Sequence, residues 1–167
     1  MQAEPGRITG TDVRAVSSGV AVAVAEHFGA EPLKLKALES LKDRIAVMEV
    51  EVGLAHPLHA VSIYCWEGEG MGDRNRQLLG ALVELILSFK GLWVVGGDFN
   101  MEPAALADAG FLEAIRGAIA APQENTCSSS AAGTIFDFSC FPRSWKDLSR
   151  TCAWRMARQC PRTRPPF

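Results

Sequence analysis

Residues 92–103 read LWVVGGDFNMEP, and this stretch indicates both the fold class and the place of a site. Residues 93–95 predict a buried β-strand, because a short apolar run that ends in glycines is typical of one. The two glycines allow a tight turn and the close approach of a ligand. Asp98 and Asn100 follow at the carboxyl end of the strand, where an extended chain would point both side chains the same way. A carboxylate and an amide placed in this way can hold a water, a divalent cation or a phosphate oxygen, although a plain polar turn has the same composition.

The predicted strands alternate with predicted helices, which is typical of an α/β protein with a mixed sheet. The Val/Ala alternation of residues 18–24 predicts a strand that is apolar on both faces and therefore central in its sheet. Residues 45–52 have one apolar face and one that carries two glutamates, so we expect one side to reach water. Residues 58–64 form the next strand, and the short connection across His56 and Pro57 predicts that it pairs with the strand before it.

Two helical regions are predicted. Residues 73–89 have leucines at helical spacing, and Asp73 is the predicted N-cap. A second helical region begins after Pro103 and is broken near Gly110. The Ser, Thr, Asn and Ala content of residues 122–133 predicts a loop.

The sequence GDFN, between an apolar strand and a helix that starts with proline, resembles the signature of the endonuclease/exonuclease/phosphatase superfamily. Residues 18–24, 44–52 and 58–64 resemble its successive strands, and residues 134–138 resemble a later strand that carries an aspartate. The resemblance covers residues 17–142. It implies a DNase I-like fold of the α/β (α+β) class, a two-sheet β-sandwich with flanking helices, incomplete relative to the family because the chain is shorter.

The resemblance also implies roles for individual residues. Asp98 would bind Mg²⁺ and orient or deprotonate the attacking water, and Asn100 would hold a phosphate oxygen or that water. Tyr64 would contact the phosphate or the leaving group through its hydroxyl, and Asp137 would orient a catalytic histidine. Trp66, in the loop after Tyr64, is a candidate for stacking on a nucleic acid base.

Two catalytic groups of the superfamily have no clear counterpart in this sequence. The family's metal-binding glutamate precedes the strand of residues 18–24, where Glu4 lies in no strand-like context. The family's catalytic histidine lies near the C-terminus, but no histidine follows His59, which is predicted to be a packed or surface residue. We therefore expect the chain to be truncated relative to the family at both ends.

The sequence thus predicts a Mg²⁺-dependent phosphodiester hydrolase, for example a retroelement-derived endonuclease, with reduced or no activity. One alternative is a catalytically inactive remnant that acts as a binding or interaction protein. Another is a phosphomonoesterase or a lipid-directed enzyme of the same superfamily, because the acidic loop of residues 66–70 would repel a polyanion. The predicted partner is nucleic acid or another phosphodiester.

Charge divides the chain into two predicted regions. Residues 143–167 have seven basic residues and one acid, a net charge of +6, which leaves −8 for residues 1–142. Residues 1–142 are the predicted superfamily domain. The basic Arg/Cys/Pro-rich tail is predicted to be disordered or out of family, and contact of the tail with nucleic acid is one hypothesis for it.

Composition adds three expectations. No apolar run is long enough to cross a membrane and the first ten residues lack the apolar centre of a signal peptide, which predicts a soluble intracellular protein. The five cysteines show no C-x-x-C pair and are odd in number, so free thiols are expected rather than a zinc site or a disulfide framework. Sheet edges left unpaired in an incomplete sandwich predict self-association.

Overall fold

The computed structural model describes residues 2–4, 19–34, 40–126 and 133–145. These ranges contain eight strands and three helices. The strands are β1 (Gln2–Glu4), β2 (Val20–Val22), β3 (Ala30–Pro32), β4 (Ile45–Val50), β5 (Leu58–Tyr64), β6 (Leu92–Asp98), β7 (Gly117–Ala120) and β8 (Asp137–Pro142). The helices are α1 (Asp73–Ser88), α2 (Pro103–Asp108) and α3 (Phe111–Ala114).

The main sheet has six strands in the order β3-β4-β5-β6-β8-β7. All neighbouring pairs are antiparallel except β5 and β6, which are parallel. A parallel pair needs a crossover connection, and α1 lies in the connection between these two strands. The predicted pairing of β4 with β5 across His56 and Pro57 is confirmed. The parallel pairing places the carboxyl ends of β5 and β6 side by side at the same end of the sheet.

Helix α1 covers one face of this sheet with its apolar side. Its leucines recur at helical spacing and are buried, as predicted. These leucines pack against every second residue of β5 and β6, because side chains in a strand alternate between the two faces of the sheet. Each aliphatic side chain fully buried in this layer stabilises the fold by about 1.5–3 kcal/mol. The layer includes Val61, Ile63, Leu78, Leu82, Leu85, Ile86, Trp93 and Val95.

The first turn of α1 differs from the sequence prediction. The helix begins at Asp73 and Gly72 is the N-cap, so the prediction of Asp73 as N-cap is wrong. No side chain caps the helix; Gly72 enters it in an extended conformation, and its N–H donates to the carbonyl oxygen of Glu69 at 2.7 Å. Asp73 instead places a negative charge in the first turn, where the helix dipole favours it.

Strand β4 is buried on both faces. Ile45 and Val47 face the helix layer, whereas Ala46 and Met48 face the other way, and each is at most 3% exposed. The prediction that one face of this strand reaches water is therefore wrong for these four residues. It holds only towards the end of the strand, at the partly exposed Glu49.

A second sheet of two strands explains this burial. Strands β1 and β2 pair antiparallel, with Glu4 opposite Val20, and lie against β4 and β5. They lie on the face opposite α1, where β2 borders a gap lined in part by Ser62 and Gly96. The prediction of two facing sheets with helices outside, an α/β sandwich, is confirmed.

Two expectations about the N-terminal strands are wrong. Residues 18–24 were expected to form a central strand, but in the described part of the chain β2 pairs only with β1. Ala21, the middle residue of β2, is exposed, so this strand is not buried on both faces. Glu4, expected outside any strand, lies in β1.

The second helical region follows the prediction. Helix α2 begins at Pro103, and Gly110, with a φ of 76°, separates it from α3. A left-handed φ is tolerated by glycine and not by most other residues, which is why the break falls there. Residues 121–126 have no helix or strand, as expected for the loop; residues 127–132 lie outside the described ranges.

Strand β8 leads into a short 3-10 turn at Arg143–Trp145. The Nε of Arg143 donates to the carbonyl oxygen of Gly117 at 3.0 Å, and its Nη2 lies 3.4 Å from Oε1 of Glu113. The first residue of the predicted tail thus packs against β7 and α3. The rest of the tail, residues 146–167, lies outside the described residues, and its role stays a prediction.

Cys65 and Cys140 are free and buried, in agreement with the prediction of free thiols. Burial raises the pKa of each thiol to about 12, so both are protonated near neutral pH. The other three cysteines lie in ranges that the structure does not describe. Of the helices in the described ranges, none combines the length and the apolar character needed to cross a membrane.

Candidate active site

Strand register brings three predicted site residues into one row. Tyr64, the last residue of β5, pairs with Asp98, the last residue of β6. Asp98 in turn pairs with Asp137, the first residue of β8. Side chains of directly paired residues point to the same face of a sheet, and paired Cα atoms in antiparallel strands lie about 4.5–5.5 Å apart. The phenol and the two carboxylates therefore share one face at one end of the sheet.

Phe99 and Gly97 hold the backbone in place on either side of Asp98. Phe99 is fully buried, stacks on Phe138 with ring centroids 4.2 Å apart, and donates its N–H to the carbonyl oxygen of Phe136 at 2.9 Å. Gly97 approaches β5 so closely that a Cβ on it would overlap the carbonyl oxygen of Ile63. The close approach predicted for this glycine is thus made by a neighbouring strand. Asp98 lies between an anchored ring and a tight strand contact, so its backbone is fixed.

Asn100 does not continue the strand. The expectation of an extended backbone from Asp98 to Asn100 is wrong, because β6 ends at Asp98 and Asn100 has a left-handed φ of 48°. The turn lets the N–H of Asn100 donate to Oδ1 of Asp98 at 2.9 Å. The side-chain Nδ2 of Asn100 donates to the carbonyl oxygen of Cys65 at 2.8 Å. Asn100 therefore orients the carboxylate and ties β6 to the end of β5.

The site concentrates negative charge. Burial raises the pKa of Asp98 above its usual value, and the negative charges of Asp137 and Glu67 raise it further. The hydrogen bond from the N–H of Asn100 acts in the opposite direction. A cation beside Asp98 would relieve this repulsion.

Mg²⁺ is the cation that the family resemblance implies, and the carboxylates present fit it. Mg²⁺ prefers oxygen ligands, and one or two protein carboxylates commonly suffice because waters and substrate phosphates complete its coordination. Asp98 and Asp137 supply two such carboxylates on the same face. No cluster of three or more His, Cys, Asp or Glu side chains suited to a metal ion occurs within the ranges that the structure covers.

Arg44 is a site residue that the sequence analysis missed. It is 4% exposed, and its guanidinium lies 5.0 Å from the ring centroid of Tyr64 and 4.5 Å from that of Trp66. Cations over aromatic rings are attracted by about 0.5–2 kcal/mol. The carbonyl oxygen of Arg44 also accepts the N–H of Tyr64 at 3.0 Å. In the sequence, Arg44 is simply a basic residue next to a predicted strand. Only the pairing of β4 with β5 shows that it lies beside Tyr64.

Trp66 lies in the loop that leaves the site end of β5. It is partly exposed, with its ring against the guanidinium of Arg44. Glu67, the next residue, is exposed. The loop thus presents an aromatic ring and a carboxylate next to the row of Tyr64 and Asp98.

The histidines lie elsewhere. His59 is buried at the opposite end of β5 from Tyr64, about 17 Å away at roughly 3.4 Å per residue. Its ring stacks on Phe89 and lies 3.2 Å from Oε1 of Glu49. It is a packed residue, as expected. His27 and His56 are exposed. In the strand register Asp137 faces Asp98, and the histidine that the family resemblance pairs with it has no counterpart there.

A cavity of about 660 Å³ lies away from this row. It is bounded by α1, α2 and α3 and lined mainly by apolar and small residues, among them Leu79, Val83 and Phe111. None of the predicted site residues lines it. Convergent polar groups, and not the cavity, mark the end of β5 and β6 as the candidate active site.

Comparison with solved structures identifies the fold. The endonuclease domain of TRAS1, a telomere-specific non-LTR retrotransposon, matches with a TM-score of 0.56 and 14% identity, over 88% of this chain and 67% of that one. The Haemophilus ducreyi cytolethal distending toxin matches with a TM-score of 0.44 and 20% identity, over 74% and 46%. A humanized D. rerio TDP2 matches with a TM-score of 0.45 and 14% identity, over 70% and 53%. The chain thus spans about half the length of the toxin and TDP2 chains.

No family model and no curated protein matches the sequence. The likeness to the TRAS1 domain shows the fold alone: it is a partial DNase I-like fold, as the GDFN resemblance predicts.

Proposed function

We propose that this chain, with its DNase I-like fold, is a phosphodiester hydrolase that depends on a divalent metal ion, with Mg²⁺ as the expected ion. The observation that carries the proposal is the row of Tyr64, Asp98 and Asp137 at the paired ends of three adjacent strands. A strand terminus that only needed a polar turn would not require two carboxylates on one face, because like charges so placed repel.

Asp98 is proposed to orient the attacking water and accept its proton. One of its oxygens, Oδ1, accepts the N–H of Asn100, which leaves Oδ2 as the oxygen proposed to contact the water and accept its proton. The hydroxyl of Tyr64 and the amide oxygen of Asn100 are proposed to position the phosphate and the water.

Asp98 and Asp137 would hold the metal ion. When bound, Mg²⁺ supplies positive charge to the phosphate oxygens, where negative charge develops during hydrolysis. Glu4 is a candidate third acid, since it lies in the strand directly before β2, where the family resemblance expects a metal-binding glutamate. Replacement of Glu4 by Gln should then raise the Mg²⁺ concentration needed for half-maximal activity.

Nucleic acid is the proposed substrate, with Trp66 as a stacking surface for a base. The TRAS1 neighbour is an endonuclease domain, which supports this choice. The partly exposed ring of Trp66 beside the buried cation Arg44 supports it further, since bases stack well on aromatic side chains. Glu67 opposes it, because a carboxylate beside the site repels a polyanion. A small phosphodiester or a phosphomonoester is the competing substrate class.

Cleavage by the purified chain tests the proposal. An abasic-site duplex, a plain phosphodiester reporter and a phosphomonoester reporter are compared with Mg²⁺ and with EDTA, using Asp98→Ala as the inactive control. Cleavage of a diester that EDTA and Asp98→Ala both abolish is the expected result. A chain that is folded by circular dichroism but cleaves no diester above the Asp98→Ala background would contradict the proposal and favour a non-catalytic binding role.

A further inference from the structure

Asn75 is fully buried although it lies in the first turn of α1, a position that usually faces water. Its Oδ1 accepts the backbone N–H of Trp66 at 2.8 Å. Its Nδ2 donates to the carbonyl oxygens of Trp66 at 3.1 Å and Gly70 at 2.8 Å. One amide side chain therefore satisfies both backbone polar groups of Trp66, as a neighbouring strand would, and fastens both ends of the loop from Trp66 to Gly70.

This loop holds two parts of the candidate site. The ring of Trp66 lies on the guanidinium of Arg44, which also lies over the ring of Tyr64. The residue before Trp66, Cys65, accepts the Nδ2 hydrogen bond of Asn100 through its carbonyl oxygen. A shift of the backbone at residues 65–66 would therefore move the Trp66 ring and disturb both of these contacts.

We propose that Asn75 is a positioning residue for substrate binding, which acts by fixing Trp66 on Arg44 beside Tyr64. The inference rests on the proposed function and adds that the wall formed by Trp66, Arg44 and Tyr64 selects substrates with a flat group next to the phosphate. Asp98 is held by the tight contact of Gly97 with β5 and by the hydrogen bond from the Asn100 N–H, neither of which involves residues 65–66, so we expect loss of Asn75 to change the chemical step little.

The expected kinetic effect is consequently on KM rather than kcat. Asn75→Asp keeps the size and one acceptor but removes both donors, and Asn75→Ala removes all three hydrogen bonds. KM for an oligonucleotide should rise about tenfold in Asn75→Ala, with kcat changed by less than about twofold, because ground-state and transition-state binding weaken together. The control is Gln77→Ala, an exposed position in the same helix, which should leave both constants unchanged.

A double variant tests whether the effect passes through Trp66. If Asn75 acts by positioning this ring, Trp66→Ala alone and Trp66→Ala with Asn75→Ala should have the same KM. Additive losses would contradict the route through Trp66. A fall in kcat with an unchanged KM would assign Asn75 to the fold or to the chemical step and would overturn the inference.

Tryptophan fluorescence gives a readout that does not depend on activity. The emission of Trp66 is taken as the difference between a protein and its Trp66→Phe counterpart, measured in the wild type and in the Asn75→Asp and Asn75→Ala variants. Iodide quenching of this difference should rise about twofold in both Asn75 variants and stay constant in Gln77→Ala. Unchanged quenching in Asn75→Asp, the variant that best preserves packing, would overturn the positioning role.

The two readouts separate failure of this inference from failure of the proposed function. If the wild type cleaves its substrate but the Asn75 variants have an unchanged KM, the inference is wrong and the proposed function is unaffected. No cleavage by the wild type would overturn the proposed function and the substrate role of Asn75 with it.

Discussion

The two ends of strand β5 hold polar side chains for different purposes. At its start, the buried ring of His59 has matching neighbours: the Glu49 carboxylate, a backbone carbonyl at 3.3 Å and the stacked ring of Phe89. At its end, Tyr64 adjoins Asp98, whose ionised form is opposed by burial and by two like charges. Polar groups kept for stability have partners that offset their burial. A polar group without such compensation, like the Asp98 carboxylate, indicates a functional role. The two ends of β5 differ in this respect.

The largest expected effect concerns Asp98→Asn. This variant keeps the Oδ1 acceptor for the Asn100 N–H but cannot take a proton from water. We expect kcat/KM for a phosphodiester to fall by about 10³-fold, the scale for loss of a principal catalytic group. Steady-state cleavage rates of protein with an unchanged circular dichroism spectrum measure this. A loss below about threefold would show that the end of β5 is no more functional than its start.

Gly97→Ala should destabilise the fold strongly. A Cβ here would overlap the Ile63 carbonyl oxygen, and Gly97 has a φ of 150° that side chains disfavour. We expect the free energy of unfolding to fall by about 3 kcal/mol or more, in the range for overpacking combined with backbone strain. Urea denaturation measures it. Gly80→Ala is the matched control, because a Cβ at that helical glycine meets nothing within 4 Å and should stabilise by about 0.5–1 kcal/mol.

Tyr64→Phe tests the functional role of the hydroxyl at the site end of β5. The ring still packs under Arg44, so the free energy of unfolding should change by less than about 0.5 kcal/mol. Loss of the hydroxyl should lower kcat by about 10²-fold if it positions the phosphate or the leaving group. Parallel rate and urea measurements decide this. An equal kcat would leave Tyr64 as a half-buried strand-end aromatic.

His59→Ala should show the converse pattern at the other end. It removes a buried ring, its stacking on Phe89 and a hydrogen bond, so unfolding should become easier by about 2 kcal/mol. The kcat of the folded protein should be unchanged, because His59 is about 17 Å from Tyr64 at roughly 3.4 Å per residue. A drop in kcat comparable to that of Tyr64→Phe would erase the distinction between the two ends.

The sequence predicted those features that depend on local pattern. The GDFN stretch, the leucine spacing of α1 and the break at Gly110 gave strand, helix and turn correctly, and the family resemblance gave the two-sheet fold. Features that depend on tertiary neighbours were missed. Burial of both faces of β4 depends on the second sheet, and the place of Arg44 depends on strand pairing. The turn at Asn100 depends on its hydrogen bond to Cys65, a residue far away in the sequence.

The candidate site was predictable to the same extent. Asp98, Asn100 and Tyr64 were identified by motif, but nothing local indicates that Tyr64, Asp98 and Asp137 share one register. Asn75 was invisible, because a buried asparagine in a helix has no sequence pattern of its own. The strand that contains Glu4 was also missed, since a strand of three residues carries too little periodicity to recognise.

The pH dependence of unfolding, compared between the wild type and Asp98→Asn, tests whether ionised Asp98 lowers the stability of the fold. A carboxyl with a raised pKa in the folded state binds protons more tightly there than in the unfolded chain. The free energy of unfolding therefore falls as the pH rises from the pKa of this carboxyl in the unfolded chain, near 3.8, to its pKa in the folded protein. Above the folded-state pKa the whole loss of stability is present. Asp98→Asn should thus be more stable than the wild type at pH 8, and this difference should shrink towards pH 4. A variant that is less stable than the wild type at pH 8, with a deficit that disappears on acidification, would show instead that Asp98 stabilises the fold as His59 does.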